Sequence, residues 1–165
     1  MIIYESFYNG YSGITNSAVQ MLKALDLAGI EYRIHPLGGL PENHPLIEKV
    51  ATTQEYFNDD NEIILHQLPT VNPKADSYYS VFEFDIPPVE WWNLLRKSKH
   101  LLTQSHFCRN IFNRIPGMDK DIHILPFPAD KRFKRSGPNM RNRIRNTTTG
   151  KLISDYEFVF GSTFQ

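Results

Sequence analysis

Short apolar runs of strand length alternate along most of the chain with segments of helical period, and the joints between them are brief. The runs are IIYESF, IEYRIHPL, NEIILHQLP, SYYSVFEFD, HLLTQS and DIHILPFP. Between the first two, Ile14, Ala18, Met21, Leu22, Leu25 and Ala28 recur at the spacing of one helix face. Thr15 or Asn16 is the expected N-cap of that helix, and Gly29 stands where helices commonly end. A weaker helical pattern covers HPLIEKVATTQEYF, and two more helices are expected from Pro88 to about Arg96 and from Ser105 to about Ile115. In the last, Phe107, Ile111 and Ile115 share a face, with Cys108 and Phe112 beside them. Strand-helix-strand alternation with short connections favours parallel strands, because each crossover must carry the chain back along the sheet. The expected fold class is therefore α/β: a Rossmann-like, mostly parallel sheet of six strands with helices on both faces.

Composition sets the class of molecule. A hydrophobic content of 41% and an aromatic content of 13% belong to a globular chain with a real core. Eighteen basic and eighteen acidic residues give a formal net charge of zero, so the whole chain argues for neither nucleic acid nor a membrane as partner. The charge is uneven, however. Residues 131–151 hold eight basic side chains and no acidic one. With Phe133 its one aromatic, this run reads first as a solvated linker, and second as a patch for a phosphate-bearing ligand, an anionic membrane or nucleic acid. A single cysteine, Cys108, rules out an intrachain disulfide, and no metal-ligand spacing is present, so no metal and no cofactor are expected. No run of apolar residues is long enough to cross a bilayer and no signal-peptide core opens the chain, which makes a cytoplasmic protein without stable membrane insertion the default.

Several residues stand where parallel sheets bind ligands, beyond the carboxyl ends of the strands. The loop YNGYSGI joins the first strand to a helix N-terminus, where outward backbone N–H groups favour an anion. Its glycines, Gly10 and Gly13, would let a phosphate approach the backbone; the bland alternative is a tight turn, and the dinucleotide fingerprint G-x-G-x-x-G is absent. The stretch YSVFEFDIPPVEWW raises its own question, since an apolar run carries two carboxylates before two prolines and two tryptophans. Glu83 is expected in the cleft, as a catalytic or structural carboxylate. Asp85 is either a cleft residue or, more simply, the N-cap of the helix that follows. Trp91 and Trp92 cannot face one way on a helix, so one belongs in the core and the other partly outside. His66 ends the third run on the crevice side and is either a ligand contact or structural. Ser105 is an N-cap that would also lie at the crevice rim.

These features, in this order, resemble the N-terminal domain of GT-B glycosyltransferases, specifically the family-four group of retaining enzymes. NGYSGITNSAVQMLKALDLAGIEY looks like that family's glycine loop, first helix and second strand. YYSVFEFDIPPVEWWNLLRKSKHLLTQSHFCRNIF resembles its Phe-Glu strand end, proline, tryptophan, helix, strand and serine. IHILPFPADKRF resembles the close of the N-terminal domain, and FVFGSTFQ the first strand of a second domain. The resemblance implies an acceptor-side domain over residues 1–135, a basic linker over 136–155 and the opening strand of another domain over 156–165. It implies that Gly13 faces the pyrophosphate of a nucleotide sugar, that a glycosyl acceptor is the second substrate, and that a second GT-B domain or partner chain grips the donor. By itself this chain is then expected to be inactive, with self-association through the apolar tail as a further expectation. The alternatives are one subunit of a split enzyme and a non-catalytic Rossmann-like binding module.

Overall fold

A computed structural model describes residues 1–10, 12–82, 84–126 and 150–151 of the chain. Contacts divide the chain into Met1–Ala129 and Asp130–Gln165, and the architecture below is that of the first unit. The linker and final strand expected beyond it, with the apolar tail, lie almost entirely outside the described residues.

Six strands, β1 (Ile2–Ser6), β2 (Tyr32–Pro36), β3 (Glu62–Leu65), β4 (Ser77–Tyr79), β5 (Leu101–Thr103) and β6 (Ile122–Ile124), form one sheet in the order β2-β1-β3-β4-β5-β6. Every neighbouring pair is parallel. The α/β class and the Rossmann-like parallel sheet follow as expected. Among the described residues four α-helices accompany it: α1 (Gly13–Leu27), α2 (Thr53–Tyr56), α3 (Val89–Lys97) and α4 (His106–Phe112). Among the described residues no helix is long and apolar enough to cross a membrane.

The pleat distributes the core to both faces of the sheet. Successive strand residues point to opposite sides, so Tyr78 and Leu101 pack with Trp91, Leu95, Cys108 and Phe112 of α3 and α4. Their neighbours Tyr79 and Leu102 pack with Ala18, Met21 and Leu22 of α1. Each large apolar side chain buried in this way contributes about 1.5–3 kcal/mol relative to exposure. Trp91 is buried and Trp92 half-buried, its indole N–H donating to the Pro87 carbonyl at 2.9 Å.

The order of strands locates a crevice. From β1 the chain crosses to β2 on one side, then returns past β1 to place β3 on the other. The reversal falls between β1 and β3; α1, which follows β1, packs on one face of the sheet, and α3 and α4 pack on the other. In open parallel sheets this switch point is where ligands bind, just beyond the carboxyl ends of the strands.

Local boundaries differ from the sequence reading at five places. Helix α1 is capped by Ser12, whose hydroxyl accepts from the Thr15 N–H at 3.1 Å, and not by Thr15 or Asn16. The segment expected to be one helix over 44–57 is a 3₁₀ turn, Ile47–Lys49, and the single turn α2. Val50 bridges to Ile34 of β2 and holds the chain extended between them; Thr52 and Glu55 then restart the helix with a capping box. Strand β4 stops at Tyr79, well short of Asp85. Beyond it Phe82 leaves the ladder to pack edge-on against Trp91, with ring centroids 5.2 Å apart. Asp85 is accordingly exposed in a loop, and the N-cap of α3 is Pro88, with no side-chain cap. In α4 the buried stripe is Cys108, Ile111 and Phe112, continued by Ile115 just beyond the helix, the i, i+3, i+4, i+7 set. Phe107 falls outside that stripe and is exposed.

Candidate functional site

At the switch point a cavity of about 240 Å³ opens on the α1 side of the sheet. Its walls come from the first residues beyond three strands and from the start of α1. Ile14, Leu68, Val81 and Tyr79 supply the apolar surface; Ser17, His66, Gln67 and Gln104 supply the polar groups, and Gly13 completes the lining. Among the described lining residues none carries a full charge at neutral pH. Two of the residues singled out by sequence, Gly13 and His66, therefore meet in one cavity.

Gly13 is the first residue of a helix of 15 residues. The Ser12 hydroxyl takes the Thr15 N–H, and the Ser12 carbonyl takes the Asn16 N–H at 3.0 Å. The N–H groups of Gly13 and Ile14, ahead of them, have no partner among the described residues, as expected of a helix start. A Cβ built on Gly13 would meet nothing within 4 Å, and the backbone there does not require glycine. Among the described residues, the space around that Cβ is open. Gly10 differs: its φ of 103° requires glycine, it serves the turn before α1, and it is not part of the cavity lining.

His66 is 3% exposed and held through both its backbone and its ring. Its backbone N–H donates to the Glu5 carbonyl at 2.8 Å, and its carbonyl accepts from the Ser6 hydroxyl at 3.0 Å. Its ring lies 2.9 Å from the Tyr4 hydroxyl through Nδ1 and 3.3 Å from the Ser17 hydroxyl through Nε2. Burial pushes the imidazole down to about 4, so the ring is neutral at pH 7. Burial also raises the Tyr4 phenol well above its ordinary value and keeps it protonated. A serine beside a histidine suggests a nucleophile and its base, but this pair is not built for that. The Ser17 proton goes to the Ile14 carbonyl at 2.8 Å, and a histidine this weak is a poor base near neutrality. What the group offers a ligand is hydrogen bonding without charge.

The remaining candidates lie elsewhere. Ser105 is the N-cap of α4, accepting from the Cys108 N–H at 3.2 Å, and only its neighbour Gln104 lines the cavity. Asp85, exposed in its loop, does not line it either. Glu83, the candidate catalytic carboxylate, lies outside the described residues. No group of three metal-ligating side chains occurs among the described residues.

Sequence reasoning missed Tyr4, Ser17, Gln67 and Gln104. The two glutamines carried a usable signal, since each stands just past the apolar part of its strand. Tyr4 and Ser17 carried none, because one reads as an ordinary strand residue and the other as a polar position inside a helix.

A second buried polar cluster lies on the opposite face. Glu5, 2% exposed, accepts from Asn72 Nδ2 at 2.6 Å and from the Tyr56 hydroxyl at 3.1 Å, and its Oε1 lies 2.7 Å from His35 Nδ1. Burial alone would raise this carboxyl, but the hydrogen bonds from His35, Asn72 and Tyr56 outweigh it and hold the group below its ordinary value. Its carboxylate oxygens are occupied by protein donors, and it lines no described cavity.

No protein-family model, curated protein or solved structure matches the chain.

Proposed function

We propose that this chain is the acceptor-side half of a nucleotide-sugar-dependent glycosyltransferase of the GT-B kind, moving a sugar from a nucleoside diphosphate to an acceptor. The observation that carries the reading is that Gly13 and His66 line one cavity at the switch point of an all-parallel sheet. The two features come from sequence positions over fifty residues apart and meet where such sheets take ligands. In this reading the unpartnered N–H groups of Gly13 and Ile14 approach the pyrophosphate and stabilise charge as it develops on the leaving group. The neutral polar wall of His66, Gln67 and Gln104 accommodates a hydroxylated ring. A second domain or partner chain closes over the mouth, grips the donor and excludes water. The cavity size agrees with a half-site: about 240 Å³ is below the roughly 300–1,000 Å³ of a complete small-molecule site.

One observation favours a second reading. None of the described lining residues is ionised at neutral pH, and His66 is no base there, which suits a non-catalytic binding module as well as an acceptor half.

The test is a titration of nucleoside diphosphates and their sugars into the 165-residue chain, followed by calorimetry and by amide NMR. The expected result is weak binding, near 1 mM or about 4 kcal/mol, with shifts at Gly13, Ile14, His66, Gln67 and Gln104. Micromolar affinity, or turnover without a partner, would overturn the half-site. Absence of any shift at these residues would remove nucleotide sugars from consideration.

A further inference from the structure

The cavity's buried histidine has a ring proton whose position follows from its neighbours. Ser17 Oγ lies 2.8 Å from the Ile14 carbonyl oxygen, which can only accept, so the hydroxyl proton is committed there. Toward His66 the same oxygen can then only accept, which places the ring proton on Nε2. Nδ1 keeps its lone pair, and the buried Tyr4 hydroxyl donates to it at 2.9 Å. The opposite tautomer would set the Nε2 lone pair against an oxygen whose proton is already used. It would also turn Nδ1–H toward a hydroxyl whose own proton finds no other acceptor among the described residues. Among the described residues, the donor and acceptor roles of Tyr4 and Ser17 agree on a single assignment.

The bond at the cavity side is the weak one. At 3.3 Å the contact from Nε2 to Ser17 is longer than an ordinary hydrogen bond. An oxygen entering the cavity can take this proton's bond while Ser17 keeps its own bond to Ile14. A charged oxygen is poorly suited to the same place, because the described lining residues offer no cation and Ile14, Leu68, Val81 and Tyr79 form a weakly polar wall.

We infer that Tyr4 is a positioning residue that locks His66 in the Nε2–H form, so that the cavity presents an uncharged N–H donor selective for an uncharged oxygen acceptor. Two ligand parts have that chemistry, a sugar hydroxyl and a nucleobase carbonyl. The inference rests on reading the cavity as a ligand site, yet it does not require that the ligand be a nucleotide sugar. The lock itself concerns the ligand-free chain.

The test uses the full chain labelled with ¹⁵N at histidine, so that the ring nitrogens are read directly. Without ligand, His66 is expected to show an imine-type signal at Nδ1 and a pyrrole-type signal at Nε2, unchanged between pH 8 and pH 6. Among the described residues the ring packs against the phenols of Tyr4 and Tyr79, which remain neutral over that range. In Tyr4→Phe, which keeps the ring and its packing, the two signals are expected to move toward a mixture of tautomers while the other histidines stay put. The reverse pattern in the parent chain, a ring protonating near pH 6.5, or a Tyr4→Phe spectrum identical to the parent, would each overturn the lock. Methyl glucoside, uridine and inorganic phosphate are then added in turn. A shift of the Nε2–H with either neutral probe supports the selectivity, and which one acts identifies the ligand part. A shift with phosphate alone, or with none of the three, overturns the selectivity. Failure of nucleotide sugars to bind would leave the tautomer result standing, so the two readings fail separately.

Discussion

Glu5 and His66 are buried almost side by side, one on β1 and the other just past β3, and they face opposite sides of the sheet. Both are titratable, both are nearly inaccessible, and their surroundings could hardly differ more. Glu5 stays ionised because three side chains surround its carboxylate, His35, Tyr56 and Asn72. His66 stays neutral because burial drives its proton off, and a cavity is left beside it. The contrast teaches where binding capacity can survive inside a fold. A buried charge has to be saturated by protein donors, which leaves nothing for a ligand. A buried neutral ring tolerates one long hydrogen bond and an open space.

Acid should destabilise the His66 side first, and by the widest margin. Between its ordinary value of 6.5 and about 4, the unfolded chain binds a proton at this position that the folded chain refuses. Stability therefore rises with pH across that window: the contribution is complete above pH 6.5 and is lost progressively as pH falls toward 4. A separation of that size corresponds to roughly 3 kcal/mol. Urea denaturation between pH 7.5 and pH 4 should show the decline, and His66→Gln should remove most of the slope. An equally steep decline in the variant would place the effect elsewhere.

Glu5 behaves with the opposite chemistry. Its folded value lies below the ordinary carboxyl value of 4.5, so its contribution is present above that pH and is lost only as acid falls through the folded value. Glu5→Gln at pH 7 replaces an acceptor with a partial donor facing Asn72 and His35. Hydrogen bonds to a charged group are worth about 1.5–3 kcal/mol, and a loss of about 2 kcal/mol is expected, with an unchanged denaturant slope and no effect on ligand binding. Reduced binding in this variant would show that the two faces are coupled, contrary to the comparison.

The sheet and its helices were legible because hydrophobic period and short connections constrain them directly. The edges of elements were not, since their limits are set by tertiary contacts. The apolar run after Ser77 continues to Phe84, yet Phe82 belongs to the aromatic cluster at Trp91 and not to the ladder. The cap of α1 fell one turn early because Ser12 competed successfully with Thr15 and Asn16. Half of the site was readable by its place after a strand, as with His66, Gln67 and Gln104. The other half depends on pairs such as Tyr4 with His66 and Ser17 with His66, 62 and 49 residues apart, which no local pattern reports.

A smaller effect calibrates the scale away from both groups. Ser105 caps α4 through the Cys108 N–H, and Ser105→Ala should cost about 1 kcal/mol. Since Ser105 does not line the cavity, ligand binding should be unchanged. A binding loss comparable to the stability loss would return it to the site.

Substitution at the start of α1 should change stability least. Gly13 opens α1 with a φ outside the left-handed region, and among the described residues a Cβ there meets no atom within 4 Å. Replacing glycine with alanine inside a helix gains roughly 0.5–1 kcal/mol, and at the first helical position only part of that is expected. Gly13→Ala should therefore melt within about 0.5 kcal/mol of the parent chain. Helix Cα–Cβ bonds tilt toward the N-terminus, so the added methyl group would crowd the side of the Gly13 and Ile14 N–H groups, where an anionic group would have to come within hydrogen-bond distance. Binding of nucleoside diphosphates should fall, more steeply in Gly13→Val, while the His66 ring signals stay as in the parent. A stable Gly13→Val that binds as well as the parent would show that the open space before α1 is only a gap in the surface. The cavity would then be left with its neutral wall as the one feature able to select a ligand.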